Sequence, residues 1–297
     1  MKINITIDNK VYTVPRGLTV LEAAHKVGIE IPNLCYMKLH DLKIENKPGG
    51  CRICVVEVAG RKNLVPSCCT TVEEGMDIKT HSIRVINARR TVLELILSNH
   101  PAECLTCSKS GDCDLQKLAD RLGIREIHYQ GEKIEYRPGN SPAIARDPNK
   151  CILCRRCEMM CNEVQTVGCL SAVNRGFKSV VTPAFDRDLI HSVCTFCGQC
   201  VAVCPTGALT EIDETAKVVR ALSDPTKTVI VQTAPAVRAA LGEEFGNEAG
   251  ALITGKMVAA LRRLGFHYVF DTDFAADLTI MEEGTELLRR LKAFLEG

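Results

Sequence analysis

CILCRRCEMMC at residues 151–161 and CTFCGQCVAVCP at residues 194–205 decide the reading of this chain. Each stretch carries C-x2-C-x2-C-x3-C: Cys151, Cys154, Cys157 and Cys161, then Cys194, Cys197, Cys200 and Cys204, followed by Pro205. Thiolates suit iron–sulfur clusters, and the tight spacing lets one loop wrap three corners of a cube. In paired cubane sites the fourth cysteine of each run reaches across to the other cluster. The crossing predicts one [4Fe–4S] cluster on Cys151, Cys154, Cys157 and Cys204, and another on Cys161, Cys194, Cys197 and Cys200. Zinc also accepts C-x2-C pairs, but rarely three cysteines in such a short run followed by a fourth.

Working outward, Cys35, Cys51, Cys54 and either Cys68 or Cys69 form a second set, predicted to hold a [2Fe–2S] cluster. Its long first gap makes it a variant of the plant-type spacing, with zinc as the alternative. Gly49-Gly50 lets backbone amides approach the cluster sulfurs. The third set is His100, Cys104, Cys107 and Cys113, predicted to hold a [4Fe–4S] cluster. Three cysteines need a fourth ligand, and His100 is at hand, although a histidine before Pro101 could be an ordinary loop residue. An imidazole in place of a thiolate removes negative charge and makes a cluster easier to reduce. Cys69 and Cys169 are left as spare thiols. Arg155 and Arg156 lie inside the first cubane loop, where the second loop has uncharged residues. They are read as raising that cluster's potential, with a solvated surface pair as the alternative.

Seventeen cysteines are an odd count, all within the first 204 residues, and argue for reduced thiols rather than a disulfide framework. No apolar run is long enough to span a membrane, and MKINITIDNK lacks the apolar core of a signal peptide. These features predict a cytoplasmic protein. A formal net charge of +1 is no nucleic-acid footprint. Four clusters with their thiolates would add roughly seven negative charges to it.

The element pattern predicts an α+β multidomain chain. Residues 1–78 read as a β-grasp domain: Ile3, Ile5 and Ile7 alternate along a strand, and a turn at Asn9-Lys10 leads into Val11–Val14. A capping box at Thr19–Glu22 opens a helix ending near Gly28, and strands follow at Val55–Val58 and Leu64–Pro66. Residues 79–128 read as the His/Cys helical segment, with a helix over 82–98 and a second capped by Asp112 and stopped at Gly123. Residues 129–149, with Gly131, Pro138, Gly139, Pro142 and Pro148, read as a linker. The duplicated cubane domain spans 140–215. Residues 226–297 read as α/β: strands at Thr228–Thr233 and Tyr268–Phe270, helices at Val237–Phe245, Ile253–Leu264 and Glu282–Leu295. No G-x-G-x-x-G occurs there.

Four sites in this order resemble the N-terminal part of iron-only ([FeFe]) hydrogenases, and the first two also resemble the large iron–sulfur subunit of respiratory complex I. Thr233–Arg238 (TAPAVR), Thr254-Gly255-Lys256 and Asp271–Leu288 (DTDFAADLTIMEEGTELL) look like the start of the hydrogenase catalytic domain. The resemblance selects Cys68 over Cys69. It implies that the cysteine motifs holding the catalytic H-cluster lie beyond this sequence, so no residue here is expected to be catalytic. Similarity to the A subunit of Stn-type electron-bifurcating transhydrogenases implies a naturally shortened electron-relay subunit. Single electrons would pass among ferredoxin, four clusters and partner subunits carrying FMN or FAD and NAD(P). The alternative is an N-terminal piece of an [FeFe] hydrogenase catalytic chain; a zinc scaffold is the remote third class.

Overall fold

The computed structural model describes residues 1–296 except 40, 47, 48, 133, 134, 138 and 140. The linker residue Pro138 and the boundary residues Asn140 and Gly297 therefore lie outside the described residues. The chain divides into two units, Met1–Ile212 and Asp213–Gly297, each mixing helices and strands.

The first unit opens with β1 (Lys2–Ile7) and β2 (Lys10–Pro15), paired antiparallel with Ile7 opposite Lys10. The turn is Asp8-Asn9, one residue before the expected Asn9-Lys10. Both residues have positive φ, 47° and 67°, which a two-residue hairpin requires and short Asx side chains tolerate. Ile3, Ile5 and Ile7 are buried as their alternation predicts. Thr19 caps α1 (Val20–Lys26): its hydroxyl accepts from the Glu22 amide at 3.2 Å, and the Glu22 carboxylate accepts from the Thr19 amide at 2.8 Å. A short hairpin of β3 (Lys38–Leu39) and β4 (Ile44–Glu45) precedes β5 (Val55–Val58), β6 (Val65–Pro66) and β7 (Asp77–Lys79). The main sheet runs β2-β1-β7-β5-β6, with β1 and β7 parallel. Strand β7 was not expected. Three residues carry too little alternation to announce themselves, yet β7 joins the two halves of the sheet.

Ser82 caps α2 (Ile83–Ser98), which buries Val85 and Leu93. Helix α3 (Asp114–Arg121) has Cys113, not the expected Asp112, at its N-cap position, and no side chain caps it. Lys109 and Lys117 hold the Asp112 carboxylate at 3.1 and 2.8 Å, drawing it off the helix end. Leu115 and Leu118 of α3 pack with Leu34, Ile53 and Leu93 in one core, which locks the first two cysteine segments together. The cubane repeat contains β8 (Ile144–Arg146), α4 (Arg156–Met159), a π-turn over Met160–Val164, β9 (Ser171–Val173), β10 (Val180–Thr182), α5 (Gln199–Ala202) and β11 (Leu209–Glu211). Antiparallel pairing of β8 with β11 ties the two ends of the repeat.

The second unit holds α6 (Thr215–Leu222), β12 (Ile230–Thr233), α7 (Pro235–Glu244), α8 (Thr254–Arg263), β13 (Tyr268–Asp271) and α9 (Thr272–Glu296). Strands β12 and β13 pair in parallel. Helix α6 was not expected, and α9 starts at Thr272 rather than Glu282. No residue of α9 is buried, so Phe274, Leu278, Leu287, Leu291 and Phe294 face outward. Among the described residues no helix is long and apolar enough to cross a membrane.

Candidate metal centres

Three cavities in the first unit are lined by the predicted donors. Cys151, Cys154, Cys157 and Cys204 line one, together with Arg146, Arg155 and Leu209. Cys161, Cys194, Cys197 and Cys200 line another, with Cys169 as a fifth thiol. His100, Cys104, Cys107 and Cys113 line the third, beside Lys150 and Gly207. The fourth cysteine of each cubane run thus borders the cavity of the other run.

The two cubane loops repeat one backbone conformation. Leu153 and Arg155 in the first, and Phe196 and Gly198 in the second, all have φ between 54° and 76°. These left-handed residues fold each loop inward. The Leu153 amide donates to Cys151 Sγ at 3.4 Å, and the Phe196 amide to Cys194 Sγ at 3.4 Å. Only Gly198 takes this shape without cost; the other three are strained residues held by their surroundings. Burial pushes the thiols of Cys151 and Cys154 up to about 11 and about 12, and that of Cys200 to about 12. Clustered thiols favour their protons until a cation replaces them.

The His100 cavity carries the most telling atom. His100 Nδ1 lies 3.0 Å from the Pro101 carbonyl, so Nδ1 must carry the hydrogen and donate it. That leaves Nε2 as a bare acceptor, and it is buried with no hydrogen-bond partner. Burial also holds the imidazole below its ordinary pKa, keeping it neutral. A buried lone pair in a cysteine-lined cavity is the form a metal ligand takes.

Around the first cysteine set, Cys35, Cys54 and Cys68 are buried, and Cys54 Sγ lies 3.3 Å from Cys68 Sγ. Cys69 is exposed, its sulfur 3.5 Å from that of Cys68. Contact with the Cys51 and Cys68 thiols holds Cys35 well below the usual thiol range, while Cys51 and Cys68 are pushed up by the same contacts. Gly49, at φ +86°, lies so close that a Cβ there would meet Cys69 Sγ at 2.9 Å. Among the described residues no three His, Cys, Asp or Glu side chains close around a single metal ion.

A cleft of about 840 Å³ in this unit has no cysteine in its lining. It lies along α1 and α3 and includes Tyr36, Asp114 and Arg156. Neither arginine of the first cubane loop is a free charge: Arg155 is partly exposed and Arg156 largely covered, and each has partners. Arg155 is clamped by Glu158 at 2.6 and 2.8 Å. Arg156 reaches the Tyr36 carbonyl at 3.3 Å and Asp114 at 3.5 Å.

Comparison with known proteins follows the same four segments. Residues 1–82 match a 2Fe-2S iron-sulfur cluster binding domain, and residues 89–128 the NADH-ubiquinone oxidoreductase-G iron-sulfur binding region. Residues 131–208 match a 4Fe-4S dicluster domain, and residues 227–296 the C-terminal domain of the iron only hydrogenase large subunit. A chain in the crystal structure of an NAD+-reducing [NiFe]-hydrogenase is 31% identical with a TM-score of 0.64, covering 71% of this chain and 88% of that one. The chain belongs to the hydrogenase-type iron–sulfur subunits. Among relatives of this kind, the NADP-reducing hydrogenase subunit HndD of Solidesulfovibrio fructosivorans is 62% identical over 99% of this chain and 51% of its own length. Iron hydrogenase 1 of Clostridium pasteurianum is 34% identical over 97% of this chain and 50% of its own. The chain thus spans about half the length of these two relatives.

Several supporting residues escaped the sequence reading. Gly207, two positions past Pro205, lies against Cys107, and the Asp114 amide donates to the Pro205 carbonyl at 2.9 Å. Cys169, read from the sequence as a spare thiol, is buried; its amide donates to Cys161 Sγ at 3.3 Å, and its own sulfur lies 3.2 Å from Ser192 Oγ.

Proposed function

We propose that this chain is an electron-transfer iron–sulfur subunit of an NAD(P)-linked hydrogenase or oxidoreductase complex, with no catalytic residue of its own in residues 1–297. In this reading Cys35, Cys51, Cys54 and Cys68 hold a [2Fe–2S] cluster. His100 with Cys104, Cys107 and Cys113, Cys151 with Cys154, Cys157 and Cys204, and Cys161 with Cys194, Cys197 and Cys200 hold three [4Fe–4S] clusters. The segments 1–78, 79–128 and 140–215 are the domains that hold them, the last holding two, and 226–297 is a hydrogenase-like segment without a cysteine. The observation that carries the reading is the buried, partnerless Nε2 of His100 among three cysteines. When bound, iron–sulfur clusters supply reversible one-electron storage.

The chain's own residues prepare these sites. The Pro101 carbonyl fixes the His100 tautomer, the left-handed loop residues aim amides at cysteine sulfurs, and burial excludes water. Amide donors to the sulfurs raise the potential of what the cysteines hold, and exclusion of water, which disfavours the more negative reduced form, lowers it. FMN or FAD and NAD(P) belong on partner subunits, because a one-electron wire needs a flavin to exchange a hydride. Ferredoxin is the proposed soluble partner, electron bifurcation the proposed role of the complex, and the cytoplasm its location. The outward apolar face of α9 suits burial against protein.

A second reading is favoured by the match to residues of two hydrogenases across nearly all of this chain: the same residues begin a hydrogenase catalytic polypeptide. Native mass spectrometry of the complex from the source cell separates the two. Flavoprotein subunits bound to a chain of this length support the first. A longer polypeptide evolving H2 contradicts it.

A further inference from the structure

Asn46 is 2% exposed, and its side chain belongs to neither a predicted ligand nor a cavity wall of the cysteine sites. Its amide nitrogen donates to the carbonyl of Cys35 at 2.7 Å and to the carbonyl of Cys154 at 2.8 Å. Those two cysteines belong to different sites and lie more than a hundred residues apart in the chain. Both acceptors are carbonyls, so only the NH2 end of the amide can serve them, and both its hydrogens are spent. The Asn46 backbone amide donates to the Met37 carbonyl at 2.8 Å, which fixes the base of the side chain against the segment after Cys35.

From the other side, Arg156 completes a clasp. It lies between Cys154 and Cys157, and its guanidinium donates to the carbonyl of Tyr36, the residue after Cys35. Two side chains thus cross between the same two cysteine segments in opposite directions. The Asn46 bonds are the shorter and the more buried. Each links a carbonyl only three bonds from a cysteine sulfur, so any slack in the bridge is passed directly to the sulfurs.

We infer that Asn46 is a positioning residue that fixes the separation between the Cys35/51/54/68 site and the Cys151/154/157/204 site. The inference rests on the proposed function, in which both cysteine sets hold clusters. A buried amide that satisfies two carbonyls cannot be removed without leaving both unpaired, and such groups recruit water or move apart. Leucine at position 46 keeps the volume and removes both donors. Aspartate keeps the shape and places oxygen against oxygen. Glutamine keeps both donors on a longer arm.

The test is the microwave power saturation of the [2Fe–2S] EPR signal in the reconstituted full chain, with the cubanes oxidised and then reduced. Two paramagnets held close relax each other, so in the unvaried protein reduction of the cubanes makes the [2Fe–2S] signal harder to saturate. The expected result is loss of most of this enhancement in Asn46→Leu and Asn46→Asp at unchanged iron content, and partial recovery in Asn46→Gln. Full enhancement in an iron-replete Asn46→Leu protein overturns the inference. If the leucine and aspartate variants fail to load iron, the unvaried protein and Asn46→Gln decide: no enhancement in the unvaried protein, or undiminished enhancement in iron-replete Asn46→Gln, overturns it, and a reduced enhancement in iron-replete Asn46→Gln supports it. Failure of the underlying reading looks different, because the unvaried protein would then show no [2Fe–2S] signal at all.

Discussion

Gly207→Ala is a one-carbon change whose effect follows from a single contact. A Cβ at Gly207 would lie 2.6 Å from Cys107 Sγ, with Lys109 Cβ and Lys150 Cδ at 3.5 Å on its other sides. Ordinary contact begins near 3.5 Å, so the sulfur must retreat by about 1 Å. In the metal-free protein that retreat is a side-chain rotation costing about 1 kcal/mol. In a loaded site it is prohibitive, because metal–ligand distances tolerate only about 0.2 Å. Gly207→Ala should therefore leave the metal-free fold nearly as stable as before while losing one cubane selectively. Iron and acid-labile sulfide should fall from about 14 to about 10 per chain, with the other EPR components intact. A variant that binds the full complement with an unchanged spectrum would refute the placement of Cys107 in that site.

Three further outcomes follow from the same geometry. His100→Cys should still hold a cluster, but the added negative thiolate should lower its midpoint potential by on the order of 100 mV in an EPR-monitored titration; an unchanged potential would remove His100 from the ligand set. Metal-free protein should lose stability toward alkaline pH. Cys151, Cys154 and Cys200 are raised from an ordinary value of 9.0 to about 11, about 12 and about 12 by burial. Their contribution is thus fully present below pH 9 and lost as pH rises through the folded values, which urea titrations at neutral and alkaline pH can follow. Thr19→Ala removes the hydroxyl that accepts from the Glu22 amide while keeping the backbone amide that donates to the Glu22 carboxylate, and should cost about 1 kcal/mol in the same assay, without changing the iron content.

What could be read in advance was what local chemistry writes into consecutive residues. Thr19-x-x-Glu22 declares its helix because the reciprocal bonds form within four residues. The cubane runs declare their donors because ligand spacing is a local constraint. The missing pieces depend on partners far away in the chain. Strand β7 exists because β1 and β5 leave a gap that Asp77–Lys79 fills, and β8 needs β11. Asp112 has the right residue type for a cap, but two lysines compete for its carboxylate. Arg156 looks like a surface charge in the sequence, and only the fold brings Tyr36 and Asp114 within its reach. Asn46 carries no motif at all, and its meaning comes from two carbonyls that the folded chain places side by side.

In the proposed function, fifteen cysteines and His100 of this one chain hold four clusters. Iron, acid-labile sulfide and Mössbauer spectra of the anaerobically reconstituted chain test it together. The expected result is about 14 iron and about 14 sulfide per chain, with one [2Fe–2S] and three [4Fe–4S] components. Zinc in place of iron, or an iron count that leaves the His100 set empty in the unvaried protein, would contradict it.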